Sequence, residues 1–419
     1  MLELPTELVQ EIMGNLAYNR PTLMSSALVS PTFRDVCQQM LFVELTFPSI
    51  LFCDQILLGA RILPILKASP RIVSYIQSVS ISDGPILQRN YRPVAASRLA
   101  DDSDFAEVLN LLSLQGRVKN ISFSDLRWSK LPSTTRNTIC VLCRSRSIQT
   151  ASIRTSPFQL TGLFGQSLKH LTISLSVSEF CSLLASSPLE TATPPSQLQS
   201  LHISLCNFPG QSTLTNIVNF LLDPAATIGI HGLRDLYIKR GPMIGGGSDM
   251  YDPDAVKRLM SACGSSVETF AFEAHGNPIQ QAALDLSLLT NLRKVSICWS
   301  DTGRIQGFVQ IIEAVPLETP LEILHIHHAT LQSYDPVEPI AESWANLDNA
   351  CARLHEHGHL AKVVFDFPMP YVTALVAQDA RDAIANALPR LRGLGILDLW
   401  VEAGDLRYDP MPPIKFLSH

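Results

Sequence analysis

The sequence predicts an α/β protein in two parts, a three-helix module at the N-terminus and an irregular repeat solenoid with a parallel sheet on its concave face. Three observations predict it. Within residues 2–47, three short apolar stripes at helical spacing are separated by prolines. From residue 42 to residue 396 an apolar-x-x-apolar-x-apolar hexamer recurs, and a helical stripe usually stands between copies. The expected boundaries are 1–45 for the module, 46–409 for the solenoid and 410–419 for a C-terminal tail.

Pro5 pre-sets the backbone for entering a helix, and Leu8, Ile12 and Leu16 recur at helical spacing, so the first helix is expected over Thr6 to Leu16. Pro21 opens the second, whose stripe is Leu23, Met24, Ala27 and Leu28. Ser30-Pro31 marks the next break, because the residue before proline avoids the helical region. Phe33, Val36, Cys37, Met40 and Leu41 make the third stripe. Three helices of about ten residues bury too little surface to stand alone. The module is therefore expected to dock on something.

Leu4-Pro5, Glu7-Leu8, Ile12, Leu16, Leu28-Val29-Ser30, Phe33-Arg34 and Leu41-Phe42 together resemble the F-box, a three-helix motif that docks on the Skp adaptor subunit of cullin-RING ubiquitin ligases. The combination of LPxEL with VSxxFR carries the resemblance, which spans about a tenth of the chain; Phe42 stands where an F-box usually ends in tryptophan. The resemblance implies that Leu4, Pro5, Leu8, Ile12, Leu16, Val29 and Phe33 face the adaptor or form the bundle, two roles the sequence does not separate.

Copies of the hexamer begin at Phe42, Ile76, Val118, Ile148, Leu168, Leu198, Leu233, Val267, Leu292, Leu321, Leu360 and Leu391, a mean spacing of about 32 residues. With 46% of residues apolar, such a pattern also arises by chance, so the intervening stripes decide. These are 104–112, 133–143, 212–222, 254–263, 304–315 and 372–388. Strand, turn, helix, strand is the unit of a solenoid, in which neighbours stack because no unit buries its apolar face alone. The region resembles the substrate-binding part of F-box proteins with leucine-rich repeats. A doubly wound α/β domain is the alternative reading, although no strand-to-helix turn carries a phosphate-cradling glycine fingerprint.

Side chains alternate along a strand, so the fifth and seventh positions counted from each hexamer start are expected on the exposed concave face. Early copies present small hydroxyls there, such as Ser80, Ser82, Ser122 and Ser124. Later copies present larger groups, and interfaces favour aromatic residues over serine. Tyr237, Lys239, Glu273, His325, His327 and Asp366 are the expected substrate-binding residues, with Trp299 and Trp400 as rim anchors. Binding through loops instead is the competing expectation.

Composition excludes several classes. Hydrophobic content is too high for disorder, and the net charge of -6 without a basic run argues against nucleic acid. No run reaches a membrane span, no secretory leader is recognisable, and nine cysteines lie without framework spacing, so the chain is expected in the cytoplasm or nucleus with no membrane partner. In the cluster His325, His327 and His328, the first two sit at alternating strand positions and could share a metal, but HEHGH at 355–359 is not HExxH, and both clusters are read as structural or recognition histidines with no metal or cofactor. Cys140 and Cys143 form a lone CxxC expected in a helix core, and the glycine-rich Gly241–Asp249 lacks the P-loop lysine. No catalytic constellation emerges. The expected function is a non-enzymatic substrate receptor of a Skp-cullin-F-box ubiquitin ligase, with Skp, cullin and an unknown target protein as partners; a repeat scaffold outside any ligase is the alternative.

Overall fold

A computed structural model describes residues 4–16, 18–47, 58–83, 98–115, 117–156, 158–176, 196–206, 212–224, 226–240, 253–274, 284–299, 305–328, 341–369 and 374–403. It divides into two compact units, one of Met1–Ser204 with Asn219–Ile230, the other of Leu205–Val218 with His231–His419. Both are α/β. No helix among the described residues is long and apolar enough to cross a membrane.

The first unit opens with helices Thr6–Gly14, Arg20–Ser26 and Pro31–Leu41. Asn19 caps the second by accepting from the Thr22 amide at 3.2 Å, and Ser30 caps the third by accepting from Phe33 at 3.3 Å, each with proline in the first turn. There follow β1 (Glu44–Phe47), β2 (Ser78–Ser82), β3 (Asn120–Ser124), β4 (Thr150–Arg154) and β5 (His170–Ser176). A short β6 (Ser196–Gln197) pairs with β8 (Ile228–Gly229), and β7 (Ser200–Cys206) lies next to β5. The second unit carries β9 (Asp235–Arg240), β10 (Thr269–Ala274), β11 (Lys294–Trp299), β12 (Ile323–His328), β13 (Lys362–Met369) and β14 (Leu397–Ala403). In each unit the main strands run parallel and lie side by side in chain order. A doubly wound sheet needs a reversal of strand order, and the described strands of neither unit show one.

One backbone device repeats along the strands of both units, though not at the step to β14, where the Val363 amide donates to the Ile396 carbonyl. The amides of Gln77 and Ser78 both donate to the Val43 carbonyl, those of Lys119 and Asn120 to Gln77, and those of Gln149 and Thr150 to Lys119. In the second unit Glu268 and Thr269 donate to Arg234, Arg293 and Lys294 to Glu268, and Glu322 and Ile323 to Arg293. Each acceptor is the second residue of its hexamer, so one carbonyl sets the register of the next strand. The first, fourth and sixth residues of the ten copies from Ile76 to Leu360 are at most 3% exposed. Burying such a side chain contributes about 1.5–3 kcal/mol.

All six expected helices are present, as Ser103–Gln115, Ser133–Cys143, Ser212–Leu221, Pro253–Cys263, Ile305–Glu313 and Ala374–Ala387. Parallel strands in chain order, joined by crossovers of one hand, keep the helices on one face. Trp344, in helix Ala341–Glu356, packs near Phe365 of β13, with the rings tilted by 39° and their centroids 6.0 Å apart.

The twelfth hexamer is a correction. Leu391–Ile396 is not a strand: helix Pro389–Leu394 occupies most of it, and β14 begins at Leu397. Pro389 suits the first helical turn, Asp348 accepts from the amides of Arg390 and Leu391 at 2.9 Å, and Gly395 closes the helix at φ 72°.

Candidate functional site

Two surfaces, one in each unit, carry the residues singled out by sequence. In the three-helix module the core consists of Val9, Met13, Leu23, Val36 and Cys37, with Leu16, Ala27, Phe33, Met40 and Leu41 packed against it. Cys37 Sγ lies 3.6 Å from Met13 Sδ. The first helix turns Val9 and Met13 inward, which leaves Leu8 and Ile12, each one residue earlier, on the outer face. Leu4, Leu8 and Ile12 are about half exposed, Met24 is 61% exposed, and Val29 and Leu28 reach 72% and 82%. The two roles left open by sequence thus separate: Leu4, Pro5, Leu8, Ile12 and Val29 face outward, whereas Leu16 and Phe33 belong to the bundle. Asp35 of the third helix pairs with Arg71 at 3.0 Å, and β1 follows within two residues of that helix.

The second surface is the face of β9 to β14 opposite the buried fourth and sixth hexamer positions. Register aligns two rows across it. One runs Tyr237, Ala271, Ser296, His325, Val364 and Asp398; the other runs Lys239, Glu273, Cys298, His327, Asp366 and Trp400. The expectation of a uniformly exposed row is corrected at its centre, where Ala271, Glu273, Ser296 and Cys298 are 2–9% exposed. Glu273 is paired rather than stranded: Lys239 Nζ lies 2.8 Å away and the Tyr237 hydroxyl donates to it at 2.7 Å. Burial, then the bond to Glu273, raises the Tyr237 phenol far above its ordinary range. Buried charges persist where such partners exist.

Toward the other edge, His325 and His327 project from β12 on one face, with ring centroids 6.3 Å apart, and Asp366 stands beside His327 on β13. His327 Nδ1 donates to Asp366 Oδ2 at 2.9 Å, since a carboxylate only accepts. His325 Nε2 is 3.9 Å from the same oxygen, is buried, and has no hydrogen-bond partner among the described residues. Burial lowers the affinity of His325 for a proton, opposed by the carboxylate of Asp366. Trp400 lies across from Asp366 and is 53% exposed. Tyr237, Lys239 and Glu273 therefore form one group, and His325, His327 and Asp366 another.

In the second histidine cluster, two rings bond backbone carbonyls. His355 Nδ1 bonds the Leu360 carbonyl at 2.7 Å and His357 Nδ1 the Arg353 carbonyl at 2.8 Å, around a helix end that Gly358 leaves at φ 96°. Cys143 is fully buried and Cys140 partly, both in helix Ser133–Cys143, and burial raises both thiols. The side chain of Trp299 and the stretch Gly241–Asp249 lie outside the described residues. Sequence reasoning misses Asp398, held to Lys362 at 2.8 Å, because it places the last strand too early; the alternation in LDLWVE from Leu397 is the available signal. No family model matches the chain, and no curated protein is found to be similar to it.

Proposed function

We propose that the chain is a substrate receptor of a Skp-cullin-F-box type ubiquitin ligase, working in the cytoplasm or nucleus. The observation that supports this most is the outward apolar set Leu4, Leu8, Ile12, Met24, Leu28 and Val29 on a bundle whose core is already complete without it. Exposed apolar surface of this kind marks a protein interface. In this reading the module grips the Skp adaptor, and the face of β9 to β14 holds the target through Tyr237, Lys239, Glu273, His325, His327 and Asp366, with Trp400 as an aromatic anchor. Leucine-rich-repeat-like stacking would curve that face into a concave surface. The receptor performs no chemistry itself. It raises the effective concentration of target lysines near the ligase.

The test is Leu8→Asp with Ile12→Asp. Both positions are about half exposed, so the bundle should keep its fold while co-purification of the Skp adaptor is lost. Retained adaptor binding in a folded double variant overturns the reading.

The second reading, a repeat scaffold capped by its N-terminal helices, draws support from the Asp35–Arg71 pair and the short passage into β1. Deleting residues 1–41 separates the two. A cap's removal unfolds β1 and β2, whereas loss of a docking module leaves them intact. The cut must stop short of Val43, whose carbonyl accepts from Gln77 and Ser78.

A further inference from the structure

We propose that His325, His327 and Asp366 form a binding site for one divalent transition-metal ion, of which Zn²⁺ fits best. One donor atom from each residue lies within 4.8 Å of the donors of the other two. Around a tetrahedral ion with bonds of about 2.0–2.2 Å, donors stand roughly 3.3–3.6 Å apart. The observed separations, 2.9 Å from His327 Nδ1 and 3.9 Å from His325 Nε2 to Asp366 Oδ2, lie on either side of that range. The separation between the two imidazole donors is at most 4.8 Å, so the three groups must draw together by about an ångström to hold one ion.

The hydrogen bond between His327 and Asp366 accounts for only two of the three groups. It leaves His325 Nε2 buried without a hydrogen-bond partner among the described residues, an arrangement that costs free energy. A metal ion supplies what that nitrogen lacks. It also takes the place of the hydrogen shared by His327 and Asp366, with His327 moving its proton to Nε2. Two imidazoles and one carboxylate are a donor set for zinc or ferrous iron rather than for calcium or magnesium, which prefer oxygen. All three ligands sit on adjacent paired strands, which hold them more firmly than loops do. Three protein ligands leave the ion at least one position, open to water or to a donor from whatever docks on this face.

The experiment uses the full chain, freed of metal with a chelator and titrated with Zn²⁺ by calorimetry and with Co²⁺ followed by its visible absorption bands. We expect one ion per chain. Even second-sphere partners of a ligand are worth about 10–100-fold in affinity, so His325→Ala or His327→Ala should cost at least about 100-fold. The control His357→Ala with His359→Ala should bind as the unaltered chain does. Absence of a stoichiometric ion in the unaltered chain overturns the proposal, as does binding that follows His357 and His359 instead. Should the histidine variants misfold, Asp366→Asn decides, through loss of affinity and a changed Co²⁺ spectrum. The Leu8 and Ile12 variant reports adaptor docking separately, so either proposal can fail alone.

Discussion

In the first unit the residues that alternate with the buried strand positions include Ser80, Ser82, Ser122, Ser124, Ser152, Thr172 and Ser174. In the second they include Tyr237, Lys239, Glu273, His325, His327 and Asp366. The edge residues that share a carbonyl differ as well: Val43, Gln77, Lys119, Gln149 and Lys169 in one, and Arg234, Glu268, Arg293 and Glu322, of alternating sign, in the other. Yet both units use the same shared-carbonyl step and the same three buried positions. Backbone and apolar positions therefore set the fold, and the remaining positions are free to carry different chemistry. A face of small hydroxyls tolerates solvent cheaply, whereas one of paired charges is committed to particular partners.

If the shared rule is correct, matched core deletions should cost alike. Phe123 and Phe272 occupy the sixth hexamer position in β3 and β10 and are both at most 2% exposed. Replacing either by alanine should destabilise its own strands by about 3–5 kcal/mol through lost burial and the cavity left behind. Hydrogen exchange of the strand amides measures each locally. A loss in one unit several times that in the other would break the comparison.

Much of this pattern is legible in the amino-acid sequence. The hexamer's first, fourth and sixth positions are apolar because they are buried, and six helical stripes keep their period because one face of each packs inward. What is not legible has physical causes. Leu8-Val9 and Ile12-Met13 are paired apolar residues, so the first helix carries two overlapping stripes and only packing chooses between them. The last hexamer misleads because its apolar spacing coincides with a helix that Asp348 caps from 42 residues away. Helix Leu58–Ala68 contains Pro64, a residue that argues against helix, and the apolar stripe of helix Ala341–Glu356 is interrupted by polar residues. The meeting of His327 with Asp366 depends on strand register across 39 residues, which no local pattern encodes.

The polar faces should differ in sensitivity where the cores do not. Tyr237→Phe removes a hydroxyl that donates to the buried carboxylate of Glu273, and should cost about 1–2 kcal/mol, more than a neutral hydrogen bond because the acceptor is charged. Ser122→Ala, on the matching face of β3, should fall within about 0.5 kcal/mol of the unaltered chain. Equal effects, read by denaturant unfolding followed through β3 and β10, would mean that the two faces differ in composition only.

The smallest effect tests the edges. Arg293 lies 2.9 Å from Glu322, with both side chains about half exposed, so their pairing is worth roughly 0–1 kcal/mol and is weakened by salt. Arg293→Gln should therefore lower the melting temperature slightly at low ionic strength and not at all in concentrated salt. Lys119→Gln in the first unit has no acidic edge residue beside it, since its neighbours in the ladder are Gln77 and Gln149, and should show no salt-dependent loss. The charge alternation would then be a local feature of the second unit laid over a backbone ladder that holds with or without it. A salt-sensitive loss from Lys119→Gln as large as that from Arg293→Gln would remove the distinction.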